Sequence, residues 1–157
     1  MRVGNGRLAG ALSAVAIGLC GCGSSAGPSL SAFKRGFASD KAQFRQLGAD
    51  LGSALEGARG KSDSQVAAEF ETLSARVRQQ ADRLRGLNPP PGYKAGLGQL
   101  AAGFGMVSAD LHAFAAAARA SNLSEARAAG TTFLHDVARV RLADRSLTGR
   151  LGLPQTG

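Results

Sequence analysis

The stretch that decides the fold is "NPPPGYKAGLGQLAAGFGMVSADLHAFAAAAR", residues 88–119. After the prolines, its apolar side chains fall at Tyr93, Leu97, Leu100, Phe104, Val107, Leu111, Phe114 and Ala118, alternately four and three apart. That rhythm draws one apolar stripe along a helix, whereas a half-buried strand would need period two. Three consecutive prolines cannot continue a helix, but proline suits a first turn, where the missing N–H has no intrahelical partner. Residues 88–92 therefore end one helix and begin another.

The same spacing extends to both sides. A first segment carries Leu30, Phe33, Phe37, Phe44, Leu47, Leu51 and Ala54, and a second carries Val66, Phe70, Leu73, Val77, Leu84 and Leu87. A fourth carries Leu123, Ala126, Phe133, Val137, Val140, Leu147 and Leu151. "EGARGKS" at 56–62 separates the first from the second, and Ser62 with Gln65 forms a capping-box pattern. Asn122 with Glu125 offers a similar start to the fourth. Every connection is short, so neighbouring helices should run antiparallel. The expectation is an all-α fold: an antiparallel up-down-up-down four-helix bundle over residues 30–153, with a tail at 154–157. A chain of 157 residues suffices for one such domain, and the absence of Trp with a single Tyr favours helices packed through Leu, Val, Ala and Phe.

Glycines interrupt two of these helices, at Gly48 and Gly52 in the first and at Gly96, Gly98, Gly103 and Gly105 in the third. Each costs about 0.8–1 kcal/mol relative to alanine. Two readings are open: close helix contact through small residues, or a third helix loose enough to admit a ligand or partner.

The N-terminus has a different grammar. Arg2 and Arg7 precede an uncharged, mostly apolar run from Leu8 to Leu19, too short for a comfortable membrane span of about 20 residues. Its exit, "LCGC" at 19–22, resembles the lipobox of bacterial lipoproteins, with Leu19, Gly21 and Cys22 in the motif's roles. The resemblance implies a cleaved signal peptide at 1–21 and a lipidated Cys22. It also implies several acyl chains (palmitate among them) and an address on the extracytoplasmic face of the cell membrane. Buried acyl chains contribute about 0.8 kcal/mol per CH2. "GSSAGPS" at 23–29 is small and turn-prone, so residues 22–29 read as the lipidated cysteine and a flexible tether. A metal or redox pair fits poorly, because C-x-C lacks the two intervening residues of C-x-x-C and no His follows. The wider layout is similar to small actinobacterial helical-bundle lipoproteins of unknown function, through the turn at Leu84 to Pro90 and the terminal "LGL" at 151–153. That likeness implies no activity.

The formal charge of +8 becomes +6 once Arg2 and Arg7 are removed. In the half nearest the tether (30–45, 77–106 and 137–157), twelve bases face three acids, giving +9; in the distal half five bases face eight acids, giving −3. Lys34, Arg35, Arg83, Arg85, Lys94, Arg145 and Arg150 are candidates for contact with anionic lipid head groups, each base near such a surface contributing about 1 kcal/mol. Helix dipoles offer a second reason for cations at this pole, since two helices end there. Nucleic acid is excluded as a partner by the export signal and the scarcity of aromatic stacking residues.

Three polar residues interrupt the apolar stripes: Asp40, Gln80 and Asp144. Helix geometry puts Asp40 about 15 Å, and Gln80 and Asp144 about 10 Å, from the tethered end, within about one turn of a common layer. Such a layer could hold a cation or polar ligand, or be a structural layer paired with Lys41, Arg83, Arg141 or Arg145. His112, His135 and Met106 fall off the stripes and are expected at the surface, and neither histidine has a ligand-type residue three or four away. No inward Glu-x-x-His, G-x-S-x-G, P-loop or H-E-x-x-H pattern occurs, so no catalysis, cofactor or metal is expected. The sequence leaves a non-catalytic binding or scaffolding role toward an unidentified envelope protein or polymer. The alternative is a small-ligand or ion carrier using the polar layer.

Overall fold

The structure, a computed structural model, describes residues 29–155; the expected signal peptide, Cys22 and all but the last residue of the tether lie outside the described residues. Four helices account for nearly all of it: α1 (Leu30–Gly57), α2 (Asp63–Gly86), α3 (Pro91–Arg119) and α4 (Leu123–Arg150), with a 3-10 turn at Ala58–Gly60. There is no strand among the described residues.

The helix ends follow from local chemistry. Ser29 caps α1 by accepting from the Ala32 amide at 3.2 Å. At α2 the capping box is reciprocal: Ser62 Oγ accepts from the Gln65 amide, and Gln65 Oε1 accepts from the Ser62 amide at 2.9 Å. Pro91 occupies the first position of α3, and Asn122 caps α4 through the Glu125 amide. The terminal "LGL" is a helix stop: Gly152 adopts φ 59°, its N–H reaches Gly149 O, and Leu153 N–H reaches Thr148 O at 3.1 Å. That pair of bonds is a Schellman motif, which requires a left-handed residue that glycine supplies without strain.

α2 and α3 pack most closely, α3 and α4 next, and α1 approaches α2 less closely. Small residues set the close approaches. Between α2 and α3, Ser74 Oγ donates to Ser108 O at 2.8 Å while Ser108 Oγ donates to Ser74 O at 2.9 Å, which satisfies two buried hydroxyls. Further along, Glu71 meets His112 and Asp63 meets Ser121, so partners climb one helix as they descend the other. The same opposition links α1 to α2 (Gln43 with Arg83, Asp50 with Arg76) and α3 to α4 (Gly96 beside Leu147, Gly103 beside Val140).

The core is built on α2 and α3. Phe70, Val77, Leu84, Leu100 and Leu111 are buried from these two, with Phe33, Phe37 and Leu47 from α1. α3 is long and apolar enough to cross a membrane by length and composition, but half of its most apolar stretch is buried by the other helices, as in a central core helix. α4 contributes least: of its expected stripe only Leu147 and Leu151 are buried, Phe133, Val137 and Val140 are half-buried, and Leu123 is 63% exposed. The stripe on α4 packs against the core but stays open on its α1 side, where α4 has no close partner.

Candidate functional site

The seam between α1 and α4 is closed at one end only. Lys41, itself buried, crosses from α1 to donate to Thr148 Oγ1 at 2.9 Å and lies 3.7 Å from the Asp144 carboxylate. Thr148 in turn donates to Asp144 Oδ1 at 3.3 Å. Beyond this clasp the two helices part and leave a groove. Its inner section, of about 170 Å3, is bounded by Phe44, Leu47, Gly48 and Leu51 of α1 and Val137, Val140 and Arg141 of α4, over a floor of Val77, Phe104 and Val107. Its outer section, of about 480 Å3, continues past Gly52 and Leu55 to Phe133, Leu134, Leu142 and Arg145. Phe44 reaches across the inner end to Phe104, with ring centroids 4.8 Å apart.

This groove gathers three of the five large apolar side chains that are exposed among the described residues. Leu55, Leu134 and Leu142 on its rim are 46%, 67% and 60% exposed. It also explains two glycines. A Cβ built on Gly48 or Gly52 would meet nothing within 4 Å, so both face the opening. Gly103 is the opposite case, since its Cβ would stand 2.8 Å from Val140 Cγ2, and there absence of a side chain permits close contact of α3 with α4. Close contact through a small residue therefore occurs at Gly103 of the third helix, whereas the space beside Gly48 and Gly52 adjoins the first helix.

The three polar residues of the apolar stripes stand at two levels. Asp40 and Asp144 lie at the level of the Lys41 clasp; Asp40 is buried and makes no hydrogen bond or ion pair among the described residues. Gln80 is level with Gln46 and Leu47, about 10 Å further along by helix rise, and its buried Nε2 has no hydrogen-bond partner. No hydrogen bond joins any two of the three. Of the bases considered as structural partners, Lys41 pairs with Asp144.

A different pair of carboxylates was not apparent from the sequence. Asp136 of α4 is buried, with Arg139 at 3.5 Å and His135 at 3.3 Å. Facing it from α3 is Asp110, whose Oδ2 is buried without a partner. Burial, and secondarily the Asp136 charge, push the Asp110 carboxyl above its ordinary value. Elsewhere hydrogen bonds hold half-buried acids down: those from Arg119 and then His112 keep Glu71 below its usual range, and those from Arg76 and then Gln46 do so for Asp50. The signal for Asp136 in the sequence is a lone acid directly before Val137 of the stripe.

Several of the seven basic candidates lie on helix ends that meet at one end of the molecule. The rings of Phe33 and Tyr93 pack at 5.7 Å, Tyr93 Oη donates to Arg150 O at 3.3 Å, and Leu87 lies against Gly36, so the start of α1, the end of α2, the start of α3 and the end of α4 meet there. Arg150 covers the Tyr93 ring, Arg83 donates to Gln43 and Arg85 pairs with Asp82. His112 and His135 are exposed, whereas Met106 is half-buried beneath Arg139, because the Arg139 side chain folds back onto its sulfur. No group of three or more His, Cys, Asp or Glu suited to a metal ion occurs among the described residues.

No family model, curated protein or solved structure matches the chain.

Proposed function

We propose that this chain is a lipid-anchored protein of the cell envelope that acts by binding rather than by catalysis, and that the groove between α1 and α4 is its binding element. In this reading residues 1–21 are removed as a signal peptide and Cys22 holds the protein to the extracytoplasmic face of the membrane. The four helices form an antiparallel up-down-up-down bundle, a reading supported by the opposed order of contacts between successive helices. The basic end stands toward anionic head groups, and the acidic end faces outward to envelope proteins or polymers.

The observation that carries the binding role is the groove itself. A folded chain gains by burying apolar side chains, at about 25 cal/mol per Å2. Here three large leucines stay in solvent around one cleft, flanked by two glycines where larger residues would fill it. Apolar clefts with a few charged groups at the edge are the usual form of a small-ligand site. A carrier using Asp40, Gln80 and Asp144 is a second reading, favoured by the unpartnered Gln80 Nε2. Native mass spectrometry of the chain released from its host's membranes separates them. An added mass lost in the Gly48→Leu/Gly52→Leu variant supports the groove, and one lost only in Asp144→Ala supports the polar layer. The lipidated polypeptide with no further mass in every case contradicts both.

A further inference from the structure

The charges at the edge of the groove differ in how they are occupied. Asp144 is held by Lys41 and Thr148, whereas neither Arg141 nor Arg145 meets a carboxylate among the described residues. These arginines sit one turn apart on α4, at the clasped end of an apolar strip that runs from Phe44 to Leu55, about 16 Å at 1.5 Å per residue. The 2.9 Å bond from Lys41 to Thr148 keeps α1 and α4 too close at that end for a third helix of about 10 Å diameter. An extended hydrocarbon chain suits an apolar strip of that length, and a carboxylate is the group that two free guanidinium forks recognise.

Resting on the binding role proposed for this groove, we infer that its ligand is a long-chain fatty acid. The hydrocarbon lies between Leu51 and Leu55 of α1 and Leu134 and Val137 of α4, and the carboxylate accepts hydrogen bonds from Arg141 and Arg145.

The test is calorimetric titration of the full 157-residue chain carrying Cys22→Ser, freed of lipid, with decanoate, laurate, myristate and dodecanol. The fatty acids should bind once per chain, tightening about fourfold for each buried methylene. Arg141→Gln/Arg145→Gln should weaken laurate at least about tenfold and leave dodecanol unmoved. Gly48→Leu/Gly52→Leu should abolish binding of both; leucine is a strong helix former and a Cβ at either site meets no neighbour, so this variant folds. Dodecanol binding as tightly as laurate overturns the carboxylate assignment while leaving the groove as the site. Laurate binding unchanged by the leucine pair overturns the groove itself. Absence of fatty-acid binding overturns the ligand class, and a dimer that the leucine pair dissolves would then identify the occupant as a second copy of the chain.

Discussion

Alanine at Gly103 should leave the chain about 1–3 kcal/mol less stable than alanine at Gly48, although both glycines lie inside helices. Replacing an interior helical glycine by alanine gains about 0.8–1 kcal/mol of helix propensity. At Gly48 nothing opposes that gain, because the new methyl points into open groove. At Gly103 the methyl would stand 2.8 Å from Val140 Cγ2, well inside the 3.5–4.0 Å at which carbons attract. Val140 cannot turn aside cheaply, since valine in a helix is confined to one χ1 rotamer and the Val140 Cα is itself only 3.8 Å away. Overpacking of this kind costs about 1–3 kcal/mol, which leaves Gly103→Ala neutral to about 2 kcal/mol destabilised and separates the two variants by about 1–3 kcal/mol. Urea unfolding followed by far-ultraviolet circular dichroism reads this directly: at a slope of about 1–3 kcal/mol per M, the midpoints should differ by about 1 M. Adding Val140→Ala to Gly103→Ala should recover part of the loss, a coupling that a double-mutant cycle isolates. Equal midpoints for Gly103→Ala and Gly48→Ala would refute the account of how α3 and α4 pack.

Asp110→Asn should raise stability by about 1 kcal/mol near neutral pH, because the amide can donate to Asp136 where two carboxylates now face each other. The folded chain holds the Asp110 proton more tightly than the unfolded chain does, so the parent loses stability as pH rises above the ordinary aspartate value of 3.8 through the raised one. Thermal melts of parent and variant should therefore converge on acidification and diverge toward pH 7. Lys41→Met should cost about 2 kcal/mol, since it strips Thr148 of its donor and Asp144 of its counter-charge, and hydrogen exchange should rise in α1 before α2. At the basic end, Lys34→Glu/Lys94→Glu/Arg145→Glu in the Cys22→Ser chain should weaken partition onto anionic vesicles about a hundredfold at low salt, at about 1 kcal/mol per removed base, and much less at physiological salt.

The four helices were legible because their signals are local. Ser62 with Gln65, Asn122 with Glu125 and the proline run at 89–91 each act within one turn, and the structure uses each where the sequence places it. The stripes of α2 and α3 were legible for a related reason: both helices are covered on their apolar faces, so spacing and burial coincide. α4 shows where that inference stops. Periodicity gives the direction of an apolar face but not how much of it a partner covers, and Phe133, Val137 and Val140 pack against the core on one side while their α1 side stays open. Leu134, one position beyond Phe133, and Leu142, two beyond Val140, widen that face in the sequence. The Asp110 and Asp136 pair was illegible because facing across α3 and α4 depends on register between helices, which no single-helix pattern encodes. Lys41 shows the same limit: the sequence offered four bases as partners for the polar stripe residues, and packing selected the one whose stem threads between α1 and α4.

An open, solvent-accessible apolar groove between α1 and α4 is the central claim, and fluorescence titration with 1-anilinonaphthalene-8-sulfonate tests it most directly. The dye is apolar and anionic, so it suits both the leucine-rimmed cleft and the two arginines at its edge. The folded chain should give a saturable enhancement at one dye per chain, and Gly48→Leu/Gly52→Leu should remove it with the helical dichroism unchanged. No enhancement from the folded chain, or an equal enhancement from the leucine variant, would contradict the account.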